Sequence, residues 1–446
     1  MNYEIAVAGG GVAGLFFAYL TAREGFRVVV IDMKDEERIG EKVCGDAVGE
    51  HHFRNVGLEP PRLGVDAISV FEGVKVFSPS REVFVLAKGR GYALDRKAFG
   101  RRLLKKAVNA GAEILASHVA LKPLVEGSWV RGLLLRGSHG TLTLRCGVLV
   151  DATGATAAIR TKLPGSWWIS ERAPLEDYNA AYRVIAEVEE EQDPRYAMIY
   201  LDVEIAPGGY WWWFPKGKYL VNVGLGVKPG PGAPNPKRSL EEHIMPLLEE
   251  AGARVLHAGG GLVPTRRPAP CMVGNGMVAV GDAAYTANPL HGGGIGPALL
   301  SSYHAAKTVI AALEEGECTL NALWPYHSAY HAAYGAKQAA LDVLRIYLQA
   351  LSNEDIEFVM RRKVLSDEEL SEMGYRGELA HSVLSKALSV VGLLRRPSLL
   401  RDLFKVKSYM ENAKGLFLKF PSPHEFAMWR VEEESLFREV KSRFWM

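Results

Sequence analysis

The first apolar block is short and continuous. Residues Tyr3 to Ala8 read as a buried strand, followed directly by Gly9-Gly10-Gly11-Val12-Ala13-Gly14. Leu15, Ala18 and Tyr19 share one face of a predicted helix over about Val12 to Glu24. The β-branched block Phe26 to Ile31 predicts a second strand, ending at Asp32. Together these form a βαβ unit. A charged, glycine-bearing loop runs from Lys34 to Gly49. Asp95 to Ala110 predicts an amphipathic helix with Phe99, Leu103 and Ala107 along one stripe. Val130 to Leu135 and Thr141 to Leu144 alternate as short strands, and Val148 to Val150 leads into Asp151-Ala152-Thr153-Gly154. The pattern is strand-like from about Ala180 to Val227, with an aromatic run at Tyr210 to Phe214. Met277 to Val280 is a further buried strand. A helix starts after Gly294, with Pro297 near its first turn, where proline is tolerated. From Ala322 onward the pattern is mostly helical.

Bulk properties narrow the choices. A chain of 446 residues with 48% hydrophobic content supports a large core, in more than one domain. Net charge is +2, so no basic excess exists to neutralise nucleic-acid phosphates. The four cysteines (Cys44, Cys146, Cys271, Cys318) contain no CxxC pair. This excludes a metal or disulfide framework and fits a reducing, cytoplasmic setting. A strand beginning at Tyr3 leaves no room for a signal peptide. No apolar run reaches the roughly 18 residues of a membrane span, which leaves peripheral membrane contact open.

The glycines carry the first chemistry. Gly9 permits a tight turn, Gly11 lets backbone approach a pyrophosphate, and Gly14 allows close helix–strand contact. The helix start at Val12 and Ala13 offers free N–H groups to the phosphates. Asp32, eighteen residues past Gly14, suits the ribose hydroxyls of an adenosine. The motif alone does not separate NAD from FAD. The later segment does: Gly281-Asp282 ends a strand, and Pro289-Leu290-His291-Gly292-Gly293-Gly294 precedes the helix that Ile295 opens. A carboxylate at that strand end suits a ribityl hydroxyl, and a glycine-lined helix start suits the ring of a reduced, anionic flavin. The expected cofactor is FAD.

These motifs resemble the three flavin-binding segments of the p-hydroxybenzoate hydroxylase-like superfamily. Within it, Arg38 to Ala47, with Cys44-Gly45-Asp46, and Pro207 to Gly217, with Tyr210, Trp212, Phe214 and Pro215, are similar to archaeal geranylgeranyl reductases of membrane-lipid synthesis. Tyr334 to Ala339 is similar too, less distinctively. The resemblance covers nearly the whole chain. It implies an α/β (α+β overall) architecture: a discontinuous Rossmann-like FAD-binding domain (1–60, 90–165, 265–320), an antiparallel-sheet substrate domain (61–89, 166–264) and a helical C-terminal region (321–446). It implies reduction of isoprenoid double bonds in a geranylgeranyl lipid, with electrons from NADPH or ferredoxin. It places Cys44 in the active site, Tyr210, Trp212 and Phe214 around the substrate, and Cys44, Gly45, Arg96, Gly154, Asp282, Gly293, Gly294 and Ile295 around the flavin.

On spacing alone, Tyr210 to Phe214 stays open between a core strand and a lined pocket, with Tyr210, Trp212 and Phe214 on one face. Cys44 and His291 are the side chains that could deliver a proton, as could an ordered water. Lys216, Arg266 and Arg267 read first as solvated or structural charge, and alternatively as a clamp on a lipid phosphate. The rival functions are a flavin monooxygenase or halogenase of the same fold, and an electron-transfer flavoprotein.

Overall fold

The structure is a computed structural model that describes residues 2–363, 366–378 and 396–445. Strand β1 (Asn2–Ala8), helix α1 (Val12–Ala22) and strand β2 (Val28–Ile31) form the expected βαβ unit, the strands parallel with Ile5 opposite Val28. The chain continues through β3 (Ala47–Gly49), α2 (His51–Arg54), β4 (Ala67–Phe77), β5 (Phe84–Leu94), α3 (Arg96–Asn109), β6 (Glu113–Leu115), β7 (Val119–Glu126), β8 (Trp129–Gly137) and β9 (Gly140–Asp151). Next come β10 (Asn179–Glu187), β11 (Tyr196–Tyr200), β12 (Tyr210–Pro215), β13 (Leu220–Val227), α4 (Pro236–His243), α5 (Met245–Glu250), β14 (Arg254–Val263), β15 (Val273–Gly274), β16 (Met277–Ala279) and α6 (Ile295–Glu314).

The first sheet has the order β15-β16-β9-β1-β2-β6, with the β7–β8 hairpin joined through β9. Its centre is parallel and covered, so Ile5 to Ala8 and Val28 to Ile31 are all buried rather than alternating. Helix α1 is apolar around most of its circumference and sits between the sheet, α3 and α6. The carboxylate of Asp95 caps α3 by accepting from the Ala98 N–H at 2.9 Å, which sets the start of that helix. The two segments expected at Thr141 to Leu144 and Val148 to Val150 are one strand, β9. Its outer half pairs antiparallel with β8, while Arg145 to Asp151 runs parallel to β1.

The second sheet has the order β14-β10-β13-β12-β11-β4-β5-β3. It is antiparallel except for β11 beside β4. Strand β14 was not evident from the chain pattern, because Gly259-Gly260-Gly261 interrupts its alternation. Gly260 is needed there: a Cβ would lie 2.5 Å from the Ala181 carbonyl oxygen of β10.

The C-terminal third is helical over its described residues; 364–365, 379–395 and 446 of that expectation lie outside them. Its attachment to the body is partly ionic. Arg266 and Arg345 pair with Asp177 at 3.3 and 3.4 Å, and Arg345 also pairs with Asp342 at 2.7 Å. Arg267 pairs with Asp342 at 3.2 Å and with Glu433 of the helix Phe426–Phe444, and Lys441 of that helix reaches Asp177 at 2.8 Å.

Candidate active site

The β1–α1 turn is built by close backbone approach. Gly9 has φ 112°, and a Cβ on it would lie 2.3 Å from the Ala152 carbonyl oxygen; a Cβ on Gly14 would lie 1.9 Å from the Gly9 carbonyl oxygen. Gly11 differs: a Cβ there meets nothing within 4 Å, so its backbone borders open space. Helix α1 has no side-chain cap, so its first N–H groups, at Val12 and Ala13, are free for an anion. Asp32 accepts from the Gly10 N–H at 2.7 Å and the Lys34 N–H at 2.9 Å, which ties the turn to the end of β2. Each oxygen keeps a lone pair for a hydroxyl. Asp151 folds the neighbouring loop by accepting from Thr153 and Arg160, and Gly154 in that loop has φ 80° with open space at its Cβ position.

Arg96, the first residue of α3, is 8% exposed, yet its Nε and Nη1 have no hydrogen-bond partner. A buried guanidinium left this way is costly until an anion meets it. Its field also lowers the proton affinity of Cys44, which places it within the same site. Open glycine surface, an uncapped helix start and an unpartnered buried cation together fit a dinucleotide pyrophosphate.

The opposite wall comes from the segment before α6. Gly294 occupies the N-cap of α6, again without a side-chain cap, and a Cβ on it would lie 3.1 Å from Asp282 Oδ1. Asp282 Oδ2 accepts from Lys42 at 2.7 Å, so the carboxylate expected to meet a ribityl hydroxyl already holds a cation of the Cys44 loop. The Tyr210 hydroxyl donates to the His291 carbonyl at 2.6 Å. The Gly293 N–H donates to His291 Nδ1 at 3.2 Å, so the neutral ring carries its proton on Nε2. Burial, then the charge of Lys337, lowers the His291 pKa to about 4, although the ring surface remains exposed.

Strand β12 presents two faces. Tyr210, Trp212 and Phe214 follow one another with ring centroids 6.0 Å apart at each step. Trp211 turns the other way and stacks on Tyr200 at 3.7 Å in the core of the second sheet. Gly224, opposite Trp212, leaves room for the indole, whose Nε1 donates to Asn222 Oδ1 at 3.0 Å. Phe214 packs against Gly45, where a Cβ would approach its ring to 3.3 Å. The half-buried Cys44 thus sits on a loop pressed against the aromatic face. Burial and Asp46 raise its thiol pKa, opposed by Arg96 and Lys42.

The phosphate-clamp reading of three basic residues fails. Lys216 is 3% exposed and pairs with buried Asp46 at 2.6 Å. Arg266 and Arg267 are equally committed to Asp177, Asp342 and Glu433. All three hold elements together because their partners are buried with them. Asn222 and Arg183, which do meet the Cys44 loop, carry no mark in their spacing along the chain, and Asp46 of the Cys44-Gly45-Asp46 segment gains its role only from the fold. Among the described residues, no cluster of His, Cys, Asp or Glu could hold a metal, and no helix is long and apolar enough to cross a membrane.

Fold and site define an oxidoreductase of the Rossmann-type flavoprotein class. Residues 7–40 match the model of the NAD(P)-binding Rossmann-like domain, and residues 177–263 match the geranylgeranyl reductase catalytic domain. The chain belongs to the digeranylgeranylglycerophospholipid reductase family: it is 40% identical to the member from Sulfolobus acidocaldarius over 98% of both chains. A second member, from Methanopyrus kandleri, is 29% identical over 90% of this chain and 98% of its own. The fold is similar to a geranylgeranyl bacteriochlorophyll reductase-like protein from Thermoplasma acidophilum, with TM-score 0.77, 22% identity, and 91% of this chain and 99% of that one covered. It is also similar to a myxobacterial chondrochloren halogenase, with TM-score 0.64, 18% identity, and coverage of 88% and 97%.

Proposed function

We propose that the protein is an FAD-dependent reductase that hydrogenates isoprenoid C=C bonds of geranylgeranyl chains on archaeal membrane lipids. The carrying observation is the contact of the Cys44-Gly45 loop with the aromatic face of β12, beside the glycine-lined start of α6. The names of the relatives supply the substrate class. In this reading residues 1–60, 90–165 and 265–320 hold the cofactor, and 61–89 and 166–264 hold the lipid chain. Gly9, Gly11, Val12, Ala13, Gly14 and Arg96 receive the pyrophosphate, Asp32 the ribose, and Gly154, Asp282, Gly293, Gly294 and Ile295 the flavin end.

When bound, reduced FAD would supply the hydride. An isolated alkene has no carbonyl to absorb charge, so a proton must reach the other carbon as the hydride arrives. Cys44 is suited to deliver it, because burial and Asp46 keep it a thiol near neutrality. His291, neutral and with its pKa lowered to about 4, is the weaker candidate. Tyr210, Trp212 and Phe214 would face the cationic character that develops at the more substituted carbon. The lipid reaches the aromatic face of β12 from a membrane surface, and electrons come from NADPH or ferredoxin. Anaerobic bleaching of the oxidised holoprotein by each donor distinguishes the two.

The test is to incubate dithionite-reduced holoprotein with a digeranylgeranyl phospholipid and follow mass. Stepwise gains of two hydrogens support the reading. An unchanged lipid, together with hydroxylation or halogenation of a small aromatic, would overturn it in favour of the monooxygenase or halogenase alternative.

A further inference from the structure

The loop carrying Cys44 is held from below by a polar group that the reaction as described does not use. Asp46 is 1% exposed and stands at φ 61°, a left-handed conformation that Asp and Asn tolerate better than other side-chain-bearing residues. Its Oδ2 accepts from Lys216 Nζ at 2.6 Å and from Asn222 Nδ2 at 3.2 Å, while its Oδ1 is buried with no partner. Asn222 Nδ2 also donates to the Cys44 carbonyl at 2.9 Å, and Arg183 Nε donates to the same oxygen at 3.3 Å. Arg183 is in turn bonded to His257 of β14 at 2.8 Å. One buried carboxylate therefore joins the turn that follows β12, strand β13 and the Cys44 loop.

Resting on the reading that Cys44 delivers the proton, we propose that Asp46 is its positioning residue: anchored by Lys216 and Asn222, the buried carboxylate fixes the loop and sets the charge beside the Cys44 side chain. The charges around Cys44 make this a contest. Arg96 and Lys42 favour the thiolate, as does the backbone N–H of Asp46. Burial and the Asp46 carboxylate favour the thiol. The Tyr210 phenol, its pKa raised by burial and then by Cys44, stays neutral and adds no countercharge. Lys216 is drawn off by its ion pair, while Arg183, which donates to the Cys44 carbonyl, also feels the charges of Asp46 and of the Cys44 side chain and so stands with the cations that favour the thiolate. Removing the carboxylate leaves Arg96, Lys42 and Arg183 opposed by burial alone.

Asp46→Asn keeps the left-handed backbone and deletes the charge, so it isolates the electrostatic role. The experiment alkylates the holoprotein with iodoacetamide across a pH series and reads the Cys44 peptide by mass spectrometry. The midpoint is expected to move to lower pH in Asp46→Asn, with alkylation near pH 7 rising about tenfold for a one-unit shift. A loop that is merely looser would speed alkylation at every pH and leave the midpoint in place. Should Asp46→Asn fold poorly with Lys216 unpaired, the double variant Asp46→Asn/Lys216→Met leaves no buried charge alone, and its midpoint is expected to fall as well. An unmoved midpoint in whichever variant folds would overturn the proposal. The separate question of whether Cys44 is the donor is read from turnover. If the alkylation midpoint moves and the alkaline limb of turnover does not, the donor reading fails while the positioning of Cys44 stands.

Discussion

An added methyl at Gly14 would lie 1.9 Å from the Gly9 carbonyl oxygen, whereas at Gly11 it would meet nothing within 4 Å. The two glycines therefore fail differently when replaced. Gly14→Ala is expected to damage the fold itself, lowering the melting temperature of the flavin-free protein. Gly11→Val is expected to leave that melting temperature near the parent value and abolish FAD binding, because its side chain fills the space left for a pyrophosphate. Absorbance at 450 nm after desalting, together with thermal melts of both forms, checks this; a yellow Gly11→Val protein would show that the turn does not hold the cofactor. The glycine roles were legible from the chain because strand, turn and helix stand in immediate succession. Arg96 was reachable through family resemblance, but its buried, unpartnered nitrogens became visible with the fold. Lys216 and Arg266 left two readings open, structural charge first and a phosphate clamp second, for a physical reason: a basic side chain looks alike in sequence whether its counter-ion is a ligand or a buried aspartate far along the chain.

Elements were legible where their periodicity was undisturbed. The βαβ unit, α3, the β12 alternation and α6 follow the hydrophobic pattern within a few residues. Strand β14 escaped because three glycines erase its alternation, and β9 seemed two strands because its partners change halfway along. Strand β12 also shows how an element passes information between its faces. Trp212 belongs to the aromatic face, yet its indole N–H ends on Asn222, which holds the Cys44 carbonyl and Asp46. Trp212→Phe keeps a large ring but removes that donor, leaving a buried amide oxygen short of a partner at a cost of about 1–3 kcal/mol. The expected result is a modest loss of stability in urea melts and a larger fall in turnover of geranylgeranyl substrates, since the Cys44 loop loses a tether. Turnover equal to the parent would show that Asn222 holds the loop without help from the indole.

Across the whole molecule, buried ionisable groups set the response to acid and to heat. Burial lowers the pKa of His327 to about 3, and lowers those of His52 and His331 strongly. These imidazoles stay neutral in the fold but take up a proton near pH 6.5 when the chain unfolds. Stability therefore falls as pH drops below about 6.5, by roughly 1.4 kcal/mol per pH unit for each such group, until the folded values are reached. Asp177 adds to the loss at the acid end: burial would raise its pKa, but Arg266, Arg345, Arg267 and Lys441 together lower it, so its contribution disappears once acid protonates it. Melting temperature is expected to decline steeply between pH 6.5 and 4, and a flat profile would contradict the neutral state of the histidines. Arg266→Ala strips Asp177 of one cationic partner and leaves it Arg345 and Lys441, so denaturant melts should show a loss of about 1–3 kcal/mol. The same ionic clasp has a thermal consequence. Water ordered around free charges is held at an entropic cost, so hydration of ions becomes less favourable on warming, while the gain from apolar burial levels off. The penalty for enclosing Asp177, Asp342 and Glu433 with their arginines therefore shrinks as the solvent heats. Relative to the apolar sheets, the seam between the C-terminal helix and the body is fastened by warmth, and cooling is what favours its release.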